Sequence, residues 1–187
     1  MWWSDRPSTG LSARRRAAAT AAALALLLSG CGFAPLYGDG TPAAALHGQI
    51  AVAPLDGTPG FALHERLTER LGDATVPRWR LVTSLDIASS GAALTQENVT
   101  TRFDVTGTAD FTLAPAAGGP PVLTGSVRAV TSYSAPVSET SSAFASEIAR
   151  QDAQDRVARA LADKIVLRLA VAAGRIEAAP VAPVPDR

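Results

Sequence analysis

The sequence is poor in the residues that most site chemistry requires. Its 187 residues include one cysteine, Cys31, two histidines, His47 and His64, and one lysine, Lys164. A single cysteine excludes a disulfide within the chain. Two distant histidines without further cysteines do not make a metal site. No Gly-rich phosphate loop, G-x-S-x-G or H-E-x-x-H occurs, and no serine stands in a recognisable nucleophile context. These absences argue against an enzyme, a metal protein or a bound cofactor. Residues 1–30 hold four arginines and one aspartate; the remainder carries 13 basic and 16 acidic residues, a net charge near −3. Nucleic-acid binding therefore has little electrostatic support. No apolar run reaches the roughly 20 residues that a membrane span needs.

What the sequence does have begins at its first basic cluster. Arg14-Arg15-Arg16 precedes Ala17 to Leu28, apolar throughout except for Thr20. A basic start, a short apolar run and a small-residue stop predict a secretory signal over residues 1–30. The stop, Leu28-Ser29-Gly30-Cys31, resembles a bacterial lipobox. That resemblance implies cleavage before Cys31 and lipidation of its thiol and new amine. Each buried methylene of an acyl chain contributes about 0.8 kcal/mol, and stable anchoring takes more than one chain. Gly32 stands where an aspartate would favour retention in the inner membrane, so the resemblance implies the outer membrane. Phe33, Leu36 and Tyr37 follow closely and suit the membrane interface.

Residues 31–47 read as a lipid-anchored tether, since Pro35, Gly38, Gly40 and Pro42 interrupt regular structure. Residues 48–174 read as one domain. "QIAVAPL", residues 49–55, predicts a short strand. Thr58 and Pro59 predict a helix start, with Thr58 as cap, and Gly72 its stop. Between them Leu63, Leu67 and Leu71 form one stripe. Residues 78–88, 101–113 and 122–133 alternate apolar and polar, which predicts an antiparallel meander with one covered face. A last helix is expected from about Ser142 to Ala173, capped by Thr140 or Ser141 and ended by Gly174. Val157, Leu161, Ile165 and Leu169 make its apolar stripe, and Asp152–Arg156 and Asp155–Arg159 are its i,i+4 pairs. The Pro/Ala-rich residues 175–187 read as a disordered tail. The predicted fold is α+β, a two-layer sandwich in the order β-α-β-β-β-α. Two helices pack on one face of a four-stranded, mostly antiparallel sheet.

"CGFAPLYG" at the lipobox, Thr101-Arg102 opening a strand, Ser132-Tyr133 closing one and "ARQDAQDRVARALADKIVLRL" in the last helix carry a family resemblance. Together with the element order, they make the chain resemble the LPS-assembly lipoproteins (LptE), especially the alphaproteobacterial branch, over roughly residues 28–170. The resemblance implies a non-enzymatic outer-membrane lipoprotein seated in a large β-barrel partner of the LptD type. It would plug the barrel, assist its assembly and aid lipopolysaccharide insertion. The other reading of these residues is an unrelated outer-membrane lipoprotein that binds a small ligand or another envelope protein. Arg80, Arg102 and Arg128 fall on the polar face of their predicted strands, and Arg78 is a possible fourth. Guanidinium forks suit phosphate oxygens, so these arginines are the candidate lipopolysaccharide contacts. Their alternative role is pairing with Asp86, Asp104 or Asp110.

Overall fold

The three alternating segments form three long strands. A computed structural model describes residues 40–94, 100–134 and 142–179. The signal segment, Cys31, Phe33, Leu36, Tyr37, Thr140, Ser141 and the tail from residue 180 lie outside the described residues. The elements are α1 (Pro42–Ala45), β1 (Ile50–Val52), α2 (Thr58–Leu71), β2 (Trp79–Leu94), β3 (Thr100–Pro115), β4 (Leu123–Ser134) and α3 (Ser142–Glu177). The sheet runs β1-β2-β3-β4, with β1 parallel to β2 and the other pairs antiparallel. This is the expected α+β order, with one short helix added in front.

The period-2 pattern sets the pairing. Leu81 faces Leu113, and Leu113 faces Leu123. Odd-numbered residues of β2, β3 and β4 therefore share one face, which carries Trp79, Leu81, Val105, Phe111 and Val127, all buried. They join a single core with Leu63, Leu67 and Leu71 of α2 and Val157, Leu161, Ile165 and Leu169 of α3. A shift by one residue would expose this whole set. Two glycines let the layers close. A Cβ on Gly107 would lie 2.3 Å from Val157 Cγ1, so α3 crosses β3 at that point. Gly125 leaves room for the Phe111 ring beside it.

Three expectations are corrected. Part of the expected tether is helical: Thr41 Oγ1 accepts the Ala44 N–H at 3.3 Å, Pro42 opens the helix, and Ala43 and Leu46 are buried in the core. The Thr-Pro start signal read at Thr58-Pro59 is present here as well. At α2 the cap is Gly57 rather than Thr58, with φ 81° and no side-chain bond. Gly174 does not end α3, which continues to Glu177. Glycine inside a helix costs about 0.5–1 kcal/mol; burial of Ala172, Ala173 and Ile176 offsets that cost, so the core extends past the expected boundary at 174. Gly72 does stop α2: at φ 77° its N–H donates to the Thr68 carbonyl at 2.8 Å.

Ion pairs lie along the helices. Asp152–Arg156 forms, whereas Asp155–Arg159 does not; Asp155 Oδ1 is buried without a hydrogen-bond partner. Arg66 joins the two long helices through Asp163, 3.0 Å away. The Glu147 carboxylate accepts from Arg150, which holds its pKa below the usual value against a smaller opposing effect of desolvation. A depressed carboxylate stabilises the fold above its unfolded-state pKa and loses that contribution as pH falls through the folded value. An NMR titration should therefore place Glu147 below an ordinary glutamate, and Arg150→Ala should return it to the ordinary value. An unchanged midpoint in the variant would dismiss the pair.

Candidate functional site: the open sheet face and the groove beside its edge

The even-numbered residues of β2, β3 and β4 point away from the helices. They form a face rich in Thr, Ser, Asp and Arg, with no helix over it among the described residues. Val82 and Val130 are 49% and 59% exposed there. They lie on different strands, opposite Thr112 and Thr106 of β3, so they form no contiguous apolar patch.

All three candidate arginines lie on this face, but the register separates them. Arg80 is opposite Ala114, Arg128 is opposite Thr108, and Arg102 is itself in β3. They occupy three levels, six residues apart along β3, or about 20 Å per step at a strand rise near 3.3 Å. A single basic patch is thus not assembled. Nor do they pair with the nearby acids: none of the three makes an ion pair within the described residues. Asp86 and Arg128 both lie opposite Thr108, but on either side of it, about 10 Å apart across the intervening strand. Arg102 instead donates to Ser132 Oγ at 2.8 Å. Arg78 leaves this face altogether. Its guanidinium lies 3.7 Å from Glu177 and 5.2 Å from the centre of the Trp79 ring.

A second feature was not read from the sequence. Between the free edge of β4 and the C-terminal half of α3 runs a groove of about 450 Å³. Ser126 and Arg128 line it from the strand; Lys164, Leu167, Arg168 and Val171 line it from the helix. Leu167 and Val171 are 53% and 70% exposed. A signal was present: residues 164–175, "KIVLRLAVAAGR", contain three cations and no acid. The core stripe of α3 runs through Ile165 and Leu169, on the face turned to the core. A cavity of similar size lies between Leu55 and Pro59 on one side and Thr83, Leu85 and Ile87 on the other. Thr83 Oγ1 is buried there without a partner. No cluster of His, Cys, Asp and Glu able to hold a metal ion occurs among the described residues. No described helix is long and apolar enough to cross a membrane.

Comparison with known proteins follows the same outline. The family model described as "Lipopolysaccharide-assembly" (LptE) matches residues 48–169. No curated protein matches the sequence. Among solved structures, a putative lipoprotein from Caulobacter crescentus CB15 superposes with a TM-score of 0.56 at 23% identity, covering 71% of this chain and 96% of that one. A minor lipoprotein from Acinetobacter baumannii gives 0.48 at 13% identity, covering 65% and 88%. The rare lipoprotein B from Shewanella oneidensis gives 0.46 at 14% identity, covering 69% and 97%. The likeness to the first of these is one of fold.

Proposed function

Because the chain belongs to the lipopolysaccharide-assembly family LptE, we propose that it is the lipoprotein subunit of an outer-membrane lipopolysaccharide translocon. In this reading Cys31 is the lipid attachment point. The domain seats in a large β-barrel partner of the LptD type, plugs it, assists its assembly and aids insertion of lipopolysaccharide into the outer leaflet. The role is one of binding and assembly, not of catalysis.

The observation that carries the proposal is the extent of the family match, which covers β1, α2, the whole meander and most of α3. The geometry supports it in two ways. The sheet is open, with one face given to the core and the other uncovered among the described residues. The outward arginines Arg80, Arg102 and Arg128 are spaced as separate contact points, each able to reach a phosphate of lipid A or a polar group of a barrel wall.

The test is recovery of the tagged chain from detergent-solubilised envelopes, with mass spectrometry of its partner and of the Cys31 peptide. A β-barrel protein in equal amount and an acylated Cys31 are expected. An acylated chain recovered alone would remove the translocon assignment. Arg102→Glu should also weaken lipopolysaccharide binding by at least about tenfold, since a hydrogen bond to a charged group contributes about 1.5–3 kcal/mol. Equal affinities of parent and variant would take Arg102 out of the contact.

A further inference from the structure

The two long edges of the sheet are not equivalent. β1 covers β2 only at Trp79–Leu81, whereas nothing among the described residues pairs with β4 on its outer side. In an antiparallel strand the N–H and C=O of one residue point to the same side, and alternate residues point to opposite sides. Two contacts show which residues face the open edge. Lys164 Nζ donates to the Arg128 carbonyl at 2.6 Å, and Arg156 donates to the Ser132 carbonyl at 3.1 Å. The even-numbered residues of β4 therefore direct their backbone groups outward. Of these, the Arg128 and Ser132 carbonyls are occupied by side chains of α3.

The groove beside that edge has its own character. It is bounded by an edge strand on one side and a helix on the other, the arrangement in which extended peptides add to a sheet as an extra strand. Its lining includes Arg128, Lys164 and Arg168 and no carboxylate. Exposed Leu167 and Val171 lie one turn apart on the helix wall. Asp163, the acid nearest in sequence, is engaged on the other side by Arg66. The charge is of one sign, with Leu167 between Lys164 and Arg168 and Val171 one turn beyond.

We propose that this groove is a docking site for an extended, acidic polypeptide segment of a partner, which adds to β4 as a fifth strand. Its backbone pairs with the outward groups of Ser126, Arg128 and Val130. One apolar side chain rests on Leu167 and Val171. Acidic side chains meet Arg168 and Lys164, the latter released from the Arg128 carbonyl as the incoming strand takes that acceptor. In the free protein Lys164 thus protects the edge from indiscriminate pairing. The site shares Arg128 with the candidate lipopolysaccharide contacts, but it is defined by the strand edge and by Lys164 and Arg168 of α3.

The probe is a library of random twelve-residue peptides displayed on phage and panned against the full chain in detergent. Enriched peptides should carry Asp or Glu and one Val, Ile or Leu at positions two apart, so that all meet the helix wall from one face of an extended strand, and lack proline. In fluorescence anisotropy the best of them, made synthetically, should bind at least tenfold more weakly to the Lys164→Glu/Arg168→Glu variant. N-methylation of its alternate backbone amides should weaken binding by a similar factor. Far-UV circular dichroism of the variant, matching the parent, separates loss of docking from loss of fold. The proposal is overturned if panning enriches nothing, or if the enriched peptides show no acidic bias. It is overturned equally if N-methylation has no effect, or if the variant loses binding only to phosphatidylglycerol vesicles and not to peptide.

Discussion

Gly107→Val is expected to destabilise the protein by about 3 kcal/mol, at the upper end for overpacking of a core. The reason is the close approach of α3 to β3. A Cβ at residue 107 would lie 2.3 Å from Val157 Cγ1 and 2.9 Å from Leu161 Cδ1. Real Cβ atoms do not approach so closely, and Val157 and Leu161 are both buried in the core. The helix must lift or the strand must bend, and either movement loosens contacts along the whole α3–sheet interface. A valine would be favoured here on strand propensity alone, so the sign of the effect separates packing from propensity. Urea unfolding should show a lower midpoint at unchanged slope. Adding Val157→Ala to the variant should restore part of the loss, a non-additive result for two residues in contact. A single variant as stable as the parent would mean that α3 does not rest on Gly107.

Trp79→Ala carries the other large effect. Trp79 opens β2 at full burial, and truncation of a buried aromatic costs about 3–5 kcal/mol. Domains are stable by only about 5–15 kcal/mol in total, so a substantial unfolded population is expected, with a melting temperature lower by about 10 °C. Trp79→Phe should be milder than this. The indole Nε1 is buried without a hydrogen-bond partner, so exchanging it for a phenyl ring loses volume but no polar contact. Calorimetry of both variants checks the order. A Phe variant as damaged as the Ala variant would show that the indole nitrogen has a partner after all.

Much of this architecture was legible residue by residue. The alternation through Phe103, Val105, Ala109, Phe111 and Leu113 identified both a strand and its buried face. Leu63, Leu67 and Leu71 did the same for a helix, and both assignments rest on the fixed geometry of the backbone. Helix ends were less legible. Gly72 ended α2 because its positive φ suits a stop, whereas Gly174 kept a helical conformation because Ile176 beyond it is core. A glycine permits a stop without requiring one, and burial of the next apolar residues decided the outcome. Pro42 resembles an interruption by residue type alone, yet after the capping Thr41 it begins a helix.

The candidate site was legible only in part, for a reason of the same kind. Facing depends on sequence parity, so Arg80, Arg102 and Arg128 could be assigned to the outer face from the chain alone. Their separation depends on register, which is a relation between strands; it put each about 20 Å from the next along the strand direction. The groove beside β4 depends on which face of α3 meets the sheet edge, and no local pattern contains that. The sequence by itself determined the types and buried faces of the three long strands and two long helices, and the family. The tertiary structure alone decided the levels of the arginines, the crossing of α3 at Gly107 and the pairing of a bare strand edge with a cationic helix wall. Local periodicity is a property of one segment, whereas register and crossing arise only when two segments compete to bury the same apolar area.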